Sequence, residues 1–362
     1  MATYYDIKGQ QVQNLASDPD PVVEGQVWYN TTTNTSKYFL NAPGSWATEN
    51  TINNTRSAQA GAGTGTAALL FGGVGNVAHT ETWNGTNWTE VNNLNVGRNT
   101  GAGCGASNTS ALCFAGVPAS HWEKTESWNG TNWTELNDLN QGAERTAGSG
   151  IATSALNYGG EAPGASNKTE LWNGTNWTEV NNLNLTRFAL QGAGTSNTSA
   201  LAFGGRAPPD ADTELWNGTN WTEVNNLNTA TRGIAGAGTQ TAALSSGGAN
   251  PGITANSELW NGTNWTEVNN LNTARRNLAG AGINNTSAIA YGGYSTAYVG
   301  VTEEWNGSNW TEVADLSTGR SESSSIGSSA AALAGGGYNG SYLATTEEWT
   351  GVGPAVQTFS DA

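Results

Sequence analysis

A tryptophan recurs seven times along this 362-residue chain, at Trp83, Trp128, Trp172, Trp216, Trp260, Trp305 and Trp349, in steps of 44 or 45 residues. A second tryptophan follows five residues after six of them, at Trp88, Trp133, Trp177, Trp221, Trp265 and Trp310. Around each pair the text Thr-Glu-x-Trp-Asn-Gly-Thr-Asn-Trp-Thr-Glu-Val-Asn-Asn-Leu-Asn changes little. A fixed period of this length marks a repeat architecture, in which each unit buries its apolar face only against its neighbours. Length alone would divide such a chain into two or three domains; the repeat overrides that prior.

Each unit reads as four short strands separated by turn signals. The first is a small-residue segment such as Gly192-Ala193-Gly194. The second is an apolar run ending in glycines, as in Ser199-Ala200-Leu201-Ala202-Phe203-Gly204-Gly205. The third carries Thr-Glu-Leu-Trp and the fourth Trp-Thr-Glu-Val. Asn-Gly between the last two is the strongest short hairpin signal, because both residues tolerate positive φ. Four antiparallel strands per repeat make one propeller blade. The expected fold is therefore all-β: a seven-bladed β-propeller of four-stranded antiparallel blades. Gly and Ala suit strands crowded around a central channel, and the tryptophans fill the widening outer part.

Six units carry the full tryptophan pair, and the seventh is split. Thr346-Glu347-Glu348-Trp349 looks like a third strand, but Gly351-Val352-Gly353-Pro354 follows it. The missing fourth strand matches Gly44-Ser45-Trp46-Ala47-Thr48-Glu49-Asn50, since Trp46 precedes Arg56 by the usual spacing. Pairing the two closes the last blade with an N-terminal strand and removes open sheet edges. The competing arrangement joins Lys37-Tyr38-Phe39-Leu40 to Ser45-Trp46 and uses Ala355-Val356-Gln357-Thr358-Phe359 as the last outer strand. Domain limits follow: 1–44 a docking segment, 45–353 the propeller, 354–362 a tail.

The repeat resembles the Kelch motif. That family has an apolar strand ending in two glycines, an aromatic in the third strand and a tryptophan in the fourth, matched here by Phe203-Gly204-Gly205, Trp216 and Trp221. The resemblance covers about residues 45–350. It departs where Trp replaces the usual Tyr in the third strand, and where Ala115-Gly116 replaces the glycine pair. The stretch from Ser17-Asp18-Pro19 through Glu24-Gly25-Gln26-Val27-Trp28-Tyr29-Asn30 to Tyr38 is similar to short modules of tailed-phage virion proteins, including tail fibres and other appendages. That resemblance implies a virion surface protein, made in a host cytoplasm, whose N-terminal segment docks to other virion proteins.

Composition narrows the function classes. With 29 acidic and 13 basic residues the formal charge is −16, which argues against a nucleic-acid partner. No apolar run approaches 18 residues, so no membrane insertion is expected. The start, Met1-Ala2-Thr3-Tyr4-Tyr5-Asp6-Ile7-Lys8, lacks the basic and apolar regions of a signal peptide. Cys104 and Cys113 are too few for a disulfide framework. They read as alanine-like fillers, with a cross-strand disulfide as the alternative.

No catalytic residues, metal ligands or cofactor are expected. Copper-carrying Kelch-type oxidases need two His, Tyr ligands and a Cys-crosslinked Tyr; His79 and His121 instead fall in the loops of two adjacent units. A metal normally needs three or more convergent ligands. One Glu per unit precedes the first Trp (Glu81, Glu126, Glu170, Glu214, Glu258, Glu303, Glu347), and an Arg follows the second (Arg98, Arg145, Arg187, Arg232, Arg275, Arg320). Such recurrence reads as a structural Glu–Arg pair; a negatively charged ring that binds a cation or a basic partner is the alternative. The repeated Asn-Gly-Thr and Asn-Trp-Thr sequons read as turn chemistry.

Variation concentrates in the connections between second and third strands: Val74–Thr80, Val117–Lys124, Glu161–Lys168, Arg206–Asp212, Ala249–Asn256, Tyr294–Val301 and Tyr338–Thr345. All emerge on one face, and variable loops on a rigid scaffold are where binding resides. Trp122, Tyr294, Tyr298, Tyr338 and Tyr342 are the candidate ligand-binding residues, suited to stacking on sugars. The function this implies is non-enzymatic presentation of a propeller to a host-surface glycan or protein. The alternative is a purely structural virion or surface-assembly protein that contacts only other subunits, self-association into a homo-oligomer included. An enzyme on the same scaffold is disfavoured by the scarcity of His and of clustered carboxylates.

Overall fold

A computed structural model describes residues 12–359 apart from 22, 24 and 207–210. The described residues are all-β, with a single 3-10 turn among them at Ala119–His121. Eight small four-stranded sheets account for the strands, and seven of them carry the repeat. The fold is thus a propeller-like array of repeated blades.

The first repeat sets the pattern. Ala60–Thr64, Ala67–Phe71, Thr80–Trp83 and Trp88–Val91 pair in chain order, antiparallel throughout. The two tryptophans sit directly opposite each other, as Trp83 and Trp88 do. Their rings lie 5.5 Å apart. Of the two turn residues only Gly85 has positive φ, at 89°. Asn84 contributes differently from the expected hairpin chemistry. Its Oδ1 accepts the backbone N–H groups of Thr86 and Asn87, at 3.0 and 2.8 Å, making an Asx turn. The same two bonds recur at Asn129, Asn173, Asn217, Asn261 and Asn306. This accounts for the Asn-Gly-Thr-Asn text without glycosylation.

Neighbouring sheets are joined mainly by the second tryptophan. Trp133 Nε1 donates to Thr80 Oγ1 of the preceding sheet at 2.9 Å, and its ring packs 4.9 Å from Phe71. Trp177, Trp221, Trp265 and Trp310 donate to Thr125, Thr169, Thr213 and Ser257 in the same way. Two further members complete the series. Trp88 of the first repeat donates to Thr346 of the seventh, and Trp46 donates to Thr302 of the sixth. First strands also lie against one another from sheet to sheet, and Ile326–Gly327 lies against Ala60–Thr64.

The small first strands have a local reason beyond channel crowding. A Cβ on Gly103 would stand 2.7 Å from Phe71 Cζ, and one on Gly192 would stand 2.1 Å from the Tyr158 hydroxyl. Glycine there makes room for the large aromatic of the preceding sheet. In the second repeat Ala115 takes the place of a glycine and adopts its positive φ, 62°.

The seventh repeat sheet runs Ile326–Gly327, Ala331–Gly335, Thr346–Thr350, Ser45–Glu49. The N-terminal strand is therefore the fourth strand of the last sheet. Trp46 packs 5.4 Å from Trp349 and 4.9 Å from Tyr291. The competing arrangement is not adopted. Lys37 to Leu40 and Ala355 to Thr358 do pair, but with each other in a separate sheet.

That eighth sheet belongs to a second compact unit, residues 1–45 with 350–362; the repeats form the other, 46–349. Gln13–Leu15 runs parallel to Val27–Asn30, which pairs with Thr35–Ala42, which pairs with Gly353–Thr358. The segment 354–362 set apart above as a tail thus supplies a strand through Thr358. Asp18 organises this unit: its carboxylate accepts from Trp28 Nε1 (3.0 Å), Asn30 Nδ2 (2.9 Å) and Lys37 Nζ (2.9 Å). The Lys37 bond, chiefly, holds its pKa below the ordinary aspartate value.

Candidate functional site

All seven of the repeated glutamates are buried, none more than 3% exposed. Five face an arginine: Arg56–Glu81, Arg98–Glu126 (2.5 Å), Arg187–Glu214 (2.9 Å), Arg275–Glu303 and Arg320–Glu347 (2.5 Å). Each carboxylate is also held by the chain that follows the previous sheet, as Asn184 N and Nδ2 hold Glu214 at 2.7 and 2.8 Å. The pairs therefore tie one sheet to the next and leave no carboxylate free for a ligand.

Two repeats differ from the sequence expectation. Arg145 and Arg232 are not members of this series. The residues in register with Arg187 are Ala143 and Thr231, whose carbonyls accept from Gly116 and Gly205 as Arg187 O accepts from Gly160. Arg145 is exposed and pairs at 3.4 Å with Glu161. Glu170 and Glu258 are left buried without a guanidinium. Desolvation holds Glu170 above the usual carboxylate range, although Asn140 and Gln141 donate to it. The register is strict: every paired arginine lies 10 residues after its tryptophan, as Arg187 follows Trp177, whereas Arg232 lies 11 and Arg145 12 residues after theirs.

The strand 2–3 connections form the other notable surface. Tyr294 pairs with Tyr298 across a tight bridge, and Tyr338 with Tyr342 across the equivalent one in the next repeat. The four rings form a continuous ladder, with centroids 5.2 Å (Tyr294–Tyr298), 5.6 Å (Tyr298–Tyr338) and 5.5 Å (Tyr338–Tyr342) apart. Tyr342 is 45% exposed and the other three are half-buried. Desolvation, with Tyr338 and Tyr294 beside it, holds the Tyr298 phenol above its ordinary value, so it is a neutral hydrogen-bonding group near pH 7. Arg276 caps the ladder, its guanidinium 5.4 Å from the Tyr294 ring centre. Trp122 stands apart. It follows the 3-10 turn in the second repeat, is half-buried, and makes no ring contact with the tyrosines among the described residues. Part of the fourth-repeat connection, 207–210, lies outside the described residues.

Under these loops runs a belt that sequence reading missed. Ala58, Thr100, Arg145, Ala189, Gly233, Asn277 and Glu322, one per repeat, all have positive φ between 49° and 63°. Thr100 N donates to Ala58 O, Arg145 N to Thr100 O, and Ala189 N to Arg145 O, at 3.0 to 3.3 Å. Asn277 N donates to Gly233 O and Glu322 N to Asn277 O, at 2.8 and 3.3 Å. No residue type signals this conformation, because only one of the seven is glycine. Left-handed backbone costs a side-chain-bearing residue about 1–2 kcal/mol, more than glycine's extra freedom costs, about 0.5–1 kcal/mol. Ala189→Gly is therefore expected to stabilise by a few tenths to about 1 kcal/mol in denaturant titration; destabilisation would mean that the belt carries no strain.

His79 Nδ1 lies 3.7 Å from Glu90 and His121 Nδ1 shares a hydrogen with Ser120 Oγ at 2.9 Å. Among the described residues no three His, Cys, Asp or Glu side chains converge. Cys104 and Cys113 are both free and buried. They do not oppose each other: Cys104 pairs with Leu112 and Cys113 with Gly103, so they face opposite sides of the sheet. Burial pushes their thiols up to about 12 and about 11, which leaves them inert as nucleophiles. A cavity of about 300 Å³ is bounded by first strands of five repeats. Ser149, Cys104 and Ser325 are the only lining residues with side-chain heteroatoms; the rest are Gly, Ala and Ile.

No family model matches this chain, and no curated protein matches it either. The Kelch and virion-module resemblances therefore rest on the motifs quoted above.

Proposed function

We propose that this chain is a non-enzymatic virion surface protein of a tailed phage, whose seven-bladed propeller presents a tyrosine ladder to a glycan of the host surface. Closure into seven blades is supported by the tryptophan series: Trp88 reaching Thr346 is the same contact that joins every other neighbouring pair. Docking through the N-terminal segment and residence in the virion are supported by the similarity of residues 17–38 to phage modules. The binding reading rests on the ladder. Four aromatic side chains serving only as core would be covered; these line a loop face, and Tyr342 is nearly half exposed. Tyrosine is also rigid and amphipathic, so ordering it on a sugar costs little entropy.

The test is the double variant Tyr298→Ala/Tyr342→Ala. Neither residue belongs to the repeat core, so thermal melting should shift little. Binding to a glycan array, or attachment to host cells, should weaken about tenfold or more, the loss of about 1.4 kcal/mol of stacking. Full attachment by the folded double variant would remove the site assignment and favour the structural reading, in which the propeller contacts only other subunits.

A further inference from the structure

In a chain of formal charge −16, the positions of basic groups without acidic partners are informative. Five arginines are consumed in the buried pairs. Lys37, Lys124, Arg145 and Lys168 each face a carboxylate within 4.0 Å. Among the described residues, that leaves Arg206, Arg232 and Arg276, none of which makes an ion pair with a described residue.

These three sit on the same bridge in three consecutive repeats, Arg232 and Arg276 as its first member and Arg206 as its second. Each is one half of the bridge at the base of a strand 2–3 connection: Phe188 with Arg206, Arg232 with Ala249, and Arg276 with Tyr294. The belt joins the last two, since Asn277 N, next to Arg276, donates to Gly233 O, next to Arg232. Two of the guanidiniums lie over aromatic rings, Arg206 over Phe188 at 5.6 Å and Arg276 over Tyr294 at 5.4 Å. Arg276 Nε is buried with no partner. In the third repeat the same bridge is Glu144 with Glu161, and Arg145 pairs with Glu161. These cations, without an ion pair among the described residues, thus form an arc on one side of the face, and the arc runs directly into the tyrosine ladder at Arg276 and Tyr294.

We infer that the ligand of this face is an acidic polysaccharide, with sugar rings stacked on Tyr294, Tyr298 and Tyr338 and carboxylates received by Arg276, Arg232 and Arg206. A guanidinium offers a planar fork that matches a carboxylate with two parallel hydrogen bonds. Arginines pre-stacked on Phe188 and Tyr294 are already ordered, so less freedom is lost on binding. A neutral glycan would use the ladder alone and leave the arc idle. This inference rests on the binding reading above and adds the chemical class of the ligand.

The experiment measures retention of the full chain on polygalacturonate, alginate and hyaluronate, on the same polymers after carboxyl reduction, and on polyglutamate. At least one acidic polysaccharide should bind at least tenfold more tightly than its reduced form and than polyglutamate. Arg206→Gln/Arg232→Gln/Arg276→Gln, checked for unchanged melting, should abolish that preference and flatten the fall of affinity between about 50 and 500 mM salt, a range over which the screening length shortens from about 14 to about 4 Å. Equal binding to the reduced polymers, unaffected by the triple variant, would overturn the acidic assignment and leave glycan binding standing. Equal binding to polyglutamate, unaffected by Tyr298→Ala/Tyr342→Ala, would reduce the site to a polyanion patch and overturn both. Retention on none of the acidic polymers would also overturn the inference.

Discussion

A chain that starts at Thr51 will aggregate on expression, or melt far below the full-length protein. The deletion removes Ser45–Glu49, the fourth strand of the seventh repeat sheet, and bares Thr346–Thr350 as a new edge. Trp46 goes with it, together with its bond to Thr302 and its contacts with Trp349 and Tyr291. Removing a fully buried tryptophan costs about 3–5 kcal/mol, and the half-buried Trp46 carries part of that; unpaired strand edges also invite association. A second chain, starting at Ser45, separates this effect from loss of the N-terminal unit. It should keep most of the stability that the Thr51 chain loses. If both melt alike, or if the Thr51 chain melts like the full protein, the strand is dispensable.

The second large effect concerns the buried ion pairs. Arg187→Ala strands Glu214, which is fully buried, and should cost about 3–5 kcal/mol. Glycan binding measured below the new melting point should survive, since neither residue touches the tyrosine ladder; Arg187 reaches only the Asp212 carbonyl at the end of the fourth-repeat connection. The contrasting case is built into the same chain. Glu170 has no arginine to lose, so Glu170→Gln should cost about 1 kcal/mol or less, while Glu214→Gln leaves Arg187 buried and unpaired and should resemble Arg187→Ala. The pH dependence has a definite sign. Because the Glu170 pKa is raised in the folded protein, its favourable contribution is present below the unfolded value and is lost as pH rises through the folded one. Stability of the natural chain relative to Glu170→Gln should therefore increase on acidification. Equal costs for Glu170→Gln and Glu214→Gln at neutral pH would mean that the arginines contribute nothing beyond packing.

Much of this architecture is legible in the sequence because it is written seven times. Trp83 and Trp88, the Ala-Leu-x-Phe strand and the glycines after it recur with fixed spacing, so one unit's strand order predicts all. The split seventh sheet is also visible, since Trp46 keeps its distance from Arg56. What is not legible depends on register or on context outside the unit. Arg145 and Arg232 resemble the structural arginines in spacing, yet lie one or two residues past the place that faces Glu170 or Glu258. The belt of positive-φ residues escapes notice because Ala58, Thr100, Arg145 and Glu322 are poor left-handed residues, held there by bonds between repeats. The tyrosines could be picked out as variable aromatics. That they form one ladder, and that the arginine arc joins it, follows only from placing consecutive connections side by side.

Pairing of Ser45–Glu49 with Thr346–Thr350 also sets an order of events during synthesis. The strand that completes the last sheet leaves the ribosome about 300 residues before its partner. At about 5–20 residues per second it waits roughly 15–60 s. Through that interval Trp46 has no Trp349 to pack against, and Trp88 has no Thr346 to bond. The early repeats can stack as they emerge, but the molecule cannot finish until its last strands arrive. A chain truncated by premature termination therefore retains two sticky edges, and its removal falls to chaperones and proteases rather than to its own folding.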